Sequence, residues 1–295
     1  MAYAYYEKIA RINLTTGEVK VEKLDVELAK KFIGGRGLGT KIVYDEGCAT
    51  VDPLGPDNKL VYITGPLTGA GAPSSGRYMV VTKSPLTGMI ACSNSGGIWG
   101  AKLKYAGWDA LIVEGEAPEW TYINIVDDKI ELLDAREYLG LFSEECDEKL
   151  KEKHGKDSSV LSIGIAGEKQ VLLAAIMNDK DRAAGRSGVG AVMGSKKFKG
   201  IVVKASKKNS DEITAVRSEV VKIHFDTPAE AARRRKAKAR AEAEEARRKR
   251  EEEEKARAAE EARRLEAERM AREVVEEAKL QAKAGFSSDL EQDLD

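Results

Sequence analysis

Cysteine is scarce in this chain, and its placement limits the chemistry that the sequence predicts. The 295 residues include only Cys48, Cys92 and Cys146, which lie far apart without a CxxC pair. Zinc sites and iron–sulfur clusters usually draw their ligands from closely spaced cysteines. We therefore expect three reduced thiols, as in a cytoplasmic protein, rather than a disulfide framework or a metal site.

Histidine, net charge and long apolar runs are also lacking. The two histidines, His154 and His224, are too few for a histidine-based metal site, and we expect both to be solvated surface residues. The net charge is −1, so no overall field attracts nucleic acid or an anionic membrane. No apolar run approaches the roughly 18 residues of a membrane span, and the first residues do not resemble a signal peptide.

The composition changes sharply near 207–227. Before this segment the chain is rich in Gly, Val, Ile and Ser, whereas afterwards nearly every residue is Ala, Glu, Arg or Lys. We predict a folded domain over 1–206, a linker over 207–227, a charged helix over 228–284 and an acidic tail over 285–295.

The first region reads as short strands with a few helices. Alternating residues on both sides of a Thr-Gly turn predict a β-hairpin over 8–24. A helix over 25–33 begins with Asp25 as N-cap, and Gly155 closes a second helix over 144–155. Strand-like runs occupy 59–65, 77–84, 110–115, 121–134, 159–164 and 200–205. This mixture predicts an α+β fold.

The charged region after the domain has the features of one long helix. Thr227 and Glu230 form a capping box, Pro228 suits the first helical position, and Gly285 can end the helix. Bulky apolar residues are nearly absent before Leu265, so a coiled coil is weakly supported. We predict a solvated single helix that acts as a spacer or arm, and a partner-binding helix is the alternative.

A short pattern occurs twice in the first region. The segment GAKLKYAG (100–107) precedes one apolar strand, and GSKKFKG (194–200) precedes another. A Gly- and Ser-containing segment comes before each, at 93–99 and at 186–193. This repeat predicts a duplicated domain with mixed sheets, in which each glycine loop leads into a short basic helix and then a strand.

The two glycine loops, at 93–97 and 182–188, are candidate anion sites. Backbone N–H groups are unsatisfied at a helix start, and arginine binds phosphate in a bidentate manner. Arg77 precedes the first loop, and Arg182 and Arg186 lie in the second. The alternative is that the glycines only permit tight packing of helices on strands. Neither loop matches a P-loop or a dinucleotide fingerprint, so spacing alone indicates one or two phosphate-bearing ligands.

At these residues the chain resembles a known family. Residues 63–115 and 174–203, with INLTTGEV, GGRGLGTKI and VDPLGPDNKLV, resemble the N-terminal domain of the tungsten-containing aldehyde:ferredoxin oxidoreductases. The resemblance covers about residues 5–206. It implies a base of two related halves, which cradles a tungsten or molybdenum centre held by two pterin cofactors. The glycines would then let the backbone approach a pterin phosphate.

The resemblance also implies individual site residues. Those for one pterin are Arg77, Asn94 and Gly96, and those for the other are Arg182, Ala183 and Gly185. The backbone carbonyls of Asn94 and Ala183 would bind a magnesium ion that joins the two phosphates, and Arg186 is a further candidate.

The activity implied is oxidation of an aldehyde to a carboxylate, with two electrons leaving through a [4Fe–4S] cluster to ferredoxin. The chain departs from the family because it lacks the four cysteines of that cluster and the domains that supply them. We expect a component that is incomplete alone, completed by a separate chain with the cluster and substrate domains. The alternative is a non-catalytic binding or assembly module. Neither nucleic acid nor membrane is an expected partner.

Overall fold

A computed structural model describes residues 5–70, 72 and 74–205 of the chain. These residues form two mixed β-sheets with helices, an α+β fold as the sequence predicts. The predicted linker, charged helix and acidic tail lie outside the described residues. Within the described part, no helix is both long enough and apolar enough to cross a bilayer.

The first half of the domain supplies one six-stranded sheet. Its strands are β1 (Lys8–Asn13), β2 (Val19–Lys23), β3 (Leu60–Ile63), β4 (Tyr78–Lys83), β5 (Ile90–Ser95) and β6 (Ala110–Glu114). Its helices are α1 (Val26–Phe32), α2 (Gly35–Asp45) and α3 (Trp99–Tyr105). The strand order is β2-β1-β6-β3-β4-β5, and neighbouring strands are antiparallel except β1 and β6, which are parallel.

The second half supplies the other six-stranded sheet. Its strands are β7 (Thr121–Val126), β8 (Lys129–Asp134), β9 (Ser159–Ser162), β10 (Ile176–Asn178), β11 (Arg182–Ala184) and β12 (Phe198–Lys204). Its helices are α4 (Ser143–His154), α5 (Ile165–Glu168) and α6 (Val189–Ser195), and a 3₁₀ turn spans Arg136–Tyr138. The order is β8-β7-β12-β9-β10-β11, and only β7 and β12 pair in parallel within this sheet.

The two sheets therefore share one topology. Each first-half strand has a second-half counterpart at the same place in the order and with the same pairing direction. The helix α3 precedes β6 as α6 precedes β12. This agreement supports the duplication that the repeated sequence pattern predicts.

The register of the repeat differs from the one read in the sequence, which matched Gly100 with Gly194. In the structure Gly100 and Gly190 are the second residues of α3 and α6. A Cβ added at Gly100 would lie 3.1 Å from the Gly76 carbonyl oxygen, and one at Gly190 would lie 2.8 Å from that of Ala174. Gly76 and Ala174 each lie two residues before a strand, β4 or β10, so these two contacts are equivalent, and a Cβ at Gly190 would also lie 2.5 Å from the Ala175 carbonyl oxygen.

The burial of the lysines at 196 and 199 explains why the register of the repeat read from the sequence is wrong. The sequence predicts a short basic helix at 194–200, but α6 ends at Ser195 and is entirely buried. Lys196 and Lys199 are also fully buried, because their ammonium groups reach protein partners. Lys196 Nζ donates to the carbonyl oxygens of Pro56 and Gly115, at 3.1 and 3.0 Å.

The core is layered, because successive side chains along each strand point to opposite faces of the sheet. The largest buried cluster draws on both sheets and on α3 and α6, so one face of each sheet packs into a shared core. Tyr62 and Met193 are in contact across it, with the Tyr62 hydroxyl 3.4 Å from the sulfur. The outer face of the first sheet packs against α1 and α2, and that of the second packs against α4.

Several local predictions are confirmed. The hairpin pairs β1 with β2, and the Asp25 carboxylate accepts hydrogen bonds from the amides of Glu27 and Leu28 at the start of α1. Gly155 follows the last residue of α4. The solvated surface position expected for His154 is wrong, because this side chain is half-buried and its Nε2 lies 2.9 Å from the Tyr122 hydroxyl. His224 lies outside the described residues.

Candidate cofactor-binding site

The two glycine loops lie side by side at the edges of the two sheets. Strand β5 ends in the first loop, β11 begins the second, and the two strands are in contact. The backbone amide of Arg186 donates to Ser93 Oγ at 3.0 Å. The Ser84 hydroxyl donates to the Ser187 carbonyl oxygen at 2.8 Å. The topology thus brings together the segments that the sequence proposed as equivalent.

Most glycines of the second loop and of α6 serve packing. A Cβ at Gly188 would collide with the Leu172 carbonyl oxygen, and one at Gly194 would collide with that of Gly167. Gly188 also has a φ of +68°, which favours glycine. For these positions the packing explanation left open by the sequence is sufficient.

Gly96 and Gly185 differ from the packing glycines because their surroundings are open. A Cβ at Gly96 would meet nothing within 4 Å, and one at Gly185 would meet only Ala183 Cβ at 3.8 Å. Each comes directly after a strand, β5 or β11, so the two positions are equivalent. Since the protein does not need glycine here for its own packing, an approaching ligand is a direct reason for a missing side chain.

The donors at the first loop are not those expected. The sequence predicts free amides at the start of α3, but the Asp179 carboxylate accepts the amides of Ile98 and Trp99 at 2.6 and 3.1 Å. The amides of Gly96 and Gly97 donate to no group within the described residues. An anion at the first loop would therefore meet glycine amides rather than the helix start.

The predicted cationic side chains are exposed around the loops. Arg77, Arg182 and Arg186 are all exposed. Arg77 Nη1 donates to Asn94 Oδ1 at 2.6 Å, which leaves other N–H groups of its guanidinium to face a ligand. Arg182 Nε lies 3.5 Å from a carboxylate oxygen of Asp181, a solvent-exposed and therefore weak ion pair.

Asn94 and Ala183, the two residues predicted to bind magnesium through their carbonyls, occupy equivalent positions. Asn94 pairs with Met79 in the β4–β5 ladder, and Ala183 pairs with Met177 in the β10–β11 ladder. The segment at 93–95, expected to be loop, is the end of an edge strand. The duplication therefore places one backbone group from each half at the same position of its sheet.

The cysteines are dispersed, as their spacing indicates. Cys48 and Cys146 are buried in the outer layers beside different sheets, and burial raises the pKa of Cys146. Cys92 is half-buried, with its sulfur 3.2 Å from Thr40 Oγ1. Among the described residues, no group of three His, Cys, Asp or Glu side chains is arranged to hold a metal ion.

Sequence reasoning missed Asn178 and Asp179. Both precede β11 and contact the first loop, and Asn178 Nδ2 donates to the Gly96 carbonyl oxygen at 3.0 Å. The signal available in the sequence was a pair of polar residues directly after the apolar run at 171–177. Two open glycines, unsatisfied amides and exposed arginines together suit a ligand with two phosphate groups, as a pair of pterins presents.

Comparisons with known proteins identify the family of this domain. A family model for the N-terminal domain of aldehyde ferredoxin oxidoreductase matches residues 9–205. Tungsten-containing aldehyde ferredoxin oxidoreductases from Pyrococcus abyssi and Thermococcus kodakarensis are 52% and 53% identical over 207 residues. Those matches cover 70% of this chain and 34% of each relative, so the chain spans about a third of their length.

Two further matches are proteins with different named activities. The aliphatic sulfonate oxidoreductase, WOR-like subunit, of Pyrococcus furiosus is 38% identical over 222 residues, which cover 69% of this chain and 35% of that protein. A solved structure of the active site complex BamBC of benzoyl coenzyme A reductase, in complex with 1,5-dienoyl-CoA, matches with a TM-score of 0.68 at 36% identity. It covers 70% of this chain and 32% of that one. Through its N-terminal domain, this chain belongs to the aldehyde ferredoxin oxidoreductase family.

Proposed function

We propose that this domain binds a tungsten bis-pterin cofactor through its two glycine loops. The chain would be a component of an oxidoreductase that converts aldehydes to carboxylic acids, with ferredoxin as the acceptor. The observation that supports this most strongly is the equivalence of Gly96 and Gly185, two open glycines at matching positions of a duplicated fold. The tungsten named in the relatives supports the choice of metal, and molybdenum is the alternative.

The roles of the binding residues follow from their chemistry. Arg77 and Arg182 would each bind one phosphate by charge-assisted hydrogen bonds, worth about 1.5–3 kcal/mol apiece. Gly96 and Gly185 would admit the two phosphates to the backbone. The carbonyls of Asn94 and Ala183 are hard oxygen ligands of the kind that magnesium prefers.

The bound metal centre would supply the redox chemistry, and this chain would bind and orient it. Its three cysteines cannot provide a four-cysteine [4Fe–4S] site. The chain also spans only about a third of its relatives. We infer that a second polypeptide supplies the cluster and the substrate pocket. The words "subunit" and "complex" in the names of two matches favour such an assembly.

Aldehyde is the substrate class that the relatives of higher identity favour. The relatives at 52–53% identity are aldehyde ferredoxin oxidoreductases, whereas the sulfonate and benzoyl coenzyme A proteins match at 38% and 36%. Because all of them share this domain, the domain itself supports a common cofactor more than a common substrate.

The second candidate is a non-catalytic binding or assembly module derived from this domain. It is favoured by the small number of cysteines and by the charged C-terminal region, which has no counterpart among the residues matched by the family model. The content of pterin and metal in the purified chain separates the two candidates, since a module without a redox role has no need of either.

The test is to produce the full chain in an anaerobic host supplied with tungstate, and to measure tungsten, pterin and iron. We expect tungsten and pterin without stoichiometric iron, and no aldehyde-dependent dye reduction by the chain alone. Adding a chain with the remaining family domains should restore turnover. Absence of both pterin and tungsten would contradict cofactor binding, and robust turnover by the single chain would contradict the need for a partner.

A further inference from the structure

The end of β10 reaches from the second half of the domain into the first glycine loop. Asn178, the last residue of β10, is almost fully buried. Its Oδ1 accepts hydrogen bonds from the hydroxyls of Tyr78 and Ser95, at 2.9 and 2.6 Å. Its Nδ2 donates to the Gly96 carbonyl oxygen at 3.0 Å. One side chain of the second half thus binds three groups of the first half.

Asp179, the next residue, also contacts the first half of the domain. One Asp179 carboxylate oxygen accepts the amides of Ile98 and Trp99, and the other accepts the Ser159 hydroxyl at 2.5 Å. Asp179 has a φ of +47°, a conformation that aspartate tolerates better than most residues. Its carboxylate therefore connects the first loop, the start of α3 and strand β9.

The first half has no group of its own for this task. Residues 84–101 contain no charged side chain, and Ile98, at the N-cap position of α3, has no side-chain oxygen. The carboxylate comes instead from a residue 81 positions later in the chain. The equivalent N-cap residue of α6, Gly188, has no side chain to cap the helix, and none of the described residues supplies one. The contact therefore breaks the symmetry of the duplication and acts on the first loop alone.

We propose that Asn178 and Asp179 are positioning residues for the first glycine loop, holding Gly96 and Gly97 in the shape that receives the anionic cofactor. The inference rests on the proposed function, and it adds that the second half of the domain sets the geometry of the ligand site in the first. A Cβ at Gly97 would collide with the Asp179 carboxylate, so the loop lies directly against this group.

The charge of Asp179 and its geometry act in opposite directions. A negative charge beside an anion site weakens anion binding, whereas an ordered loop strengthens it. Asp179→Asn removes the charge and keeps the side-chain shape and one acceptor oxygen, with an NH2 group in place of the other oxygen. Asp179→Ala removes both effects. If positioning dominates, the cofactor content should fall strongly in the alanine variant and be largely restored in the asparagine variant.

The experiment uses the full chain with Asp179→Ala, Asp179→Asn and the control Asp157→Ala, an exposed carboxylate paired with Lys204. Hydrogen exchange of the amides of Ile98 and Trp99 is measured without cofactor, and tungsten and pterin are measured after anaerobic production. In Asp179→Ala we expect at least about tenfold faster exchange confined to residues 96–99, and at least about tenfold less cofactor. The asparagine variant should stay within about threefold of wild type in both measurements.

Two results would overturn the inference. Exchange that rises equally over the whole domain would show a general role in stability. Selective loosening of the loop with unchanged cofactor content would show that the loop shape does not govern binding. If the wild-type chain takes up no pterin, the proposed function fails instead. The hydrogen-exchange data alone then decide whether Asp179 holds the first glycine loop in its shape.

Discussion

The backbone amide of Arg186 donates to Ser93 Oγ at 3.0 Å, and this bond joins the two glycine loops. Ser93 lies in β5 of the first sheet, and Arg186 follows β11 of the second. The bond holds the loops together even though they belong to different halves of the duplication. A ligand that occupies one loop therefore lies beside the other, which suits two pterins bound to one metal better than two independent ligands.

Arg182→Ala should weaken cofactor binding by about 10- to 150-fold, because one charge-assisted phosphate contact is lost. The free energy of unfolding should change by less than about 0.5 kcal/mol, since the side chain is exposed and its ion pair within the described residues is the weak one with Asp181. The measurements are the tungsten and pterin content after anaerobic production and a thermal melt. Arg136→Ala, at another exposed arginine, is the control and should change neither. Equal cofactor content in the two variants would refute the role of Arg182.

The glycines of the second half should separate binding from packing. Gly185→Val should leave stability within about 0.5 kcal/mol and abolish cofactor uptake, because the side chain fills open space beside the loop. Gly190→Val should cost about 3 kcal/mol or more in the free energy of unfolding, since its Cβ would lie 2.5 Å from the Ala175 carbonyl oxygen. Denaturant titration and pterin content measure the two effects. A strongly destabilised Gly185→Val protein would show that Gly185 also serves packing.

The ion pair between Lys199 and Glu168 should be important for stability. The Lys199 side chain is fully buried, that of Glu168 is 9% exposed, and Lys199 Nζ lies 2.5 Å from Glu168 Oε1. The Glu168 carboxylate also accepts the Gly140 amide. Glu168→Ala should cost about 3–5 kcal/mol, because it leaves a charged ammonium buried without its partner.

The control for this prediction is Glu148→Ala, which breaks the exposed pair with Lys180. It should cost less than about 1 kcal/mol, since solvent screens that pair. Chemical denaturation of both variants checks the comparison. Similar losses in the two variants would show that burial of the Lys199 pair is unimportant.

Lys196 should make stability depend on pH in the alkaline range. Burial lowers its pKa from 10.5 to about 8, which corresponds to about 3 kcal/mol. Below pH 8 Lys196 is protonated in both the folded and the unfolded state, so the folded state bears the full free-energy cost of a buried charge. Between pH 8 and 10.5 the unfolded state binds more protons, so the free energy of unfolding rises with pH.

Lys196→Met should remove this rise, and Lys197→Met, at a half-exposed neighbour that pairs with Glu116, should keep it. Denaturant titrations of both variants and the wild type across pH 7–10.5 make the comparison. A wild-type profile that runs parallel to that of Lys196→Met would contradict the lowered pKa.

The sequence predicts some features of this fold well, because they depend on local interactions. The Asp25 cap and the end of α4 at Gly155 depend on neighbouring backbone groups, so local patterns identify them. The edge strand β11 and its neighbour β10 have three residues each, and Arg182–Ala184 contains no β-branched side chain, so no local signal marks that strand.

The errors at the site have a tertiary cause. Lysines are normally exposed, so the burial of Lys196 and Lys199 could not be read from composition. The use of the α3 amides by Asp179 depends on how the two halves meet. Family resemblance located the loops, but only the structure separates Gly96 and Gly185 from the glycines that serve packing.

The most direct test of the two-loop site is the stoichiometry of pterin and tungsten in the purified full chain. The wild type and the Arg136→Ala control should each contain two pterins and one tungsten per chain, because in the proposed site each of the duplicated loops binds one pterin. Arg77→Ala/Arg182→Ala should lose at least about 90% of both while keeping the wild-type melting temperature, since both arginines are exposed. A wild-type chain with no pterin, or a double variant with unchanged content, would contradict the site.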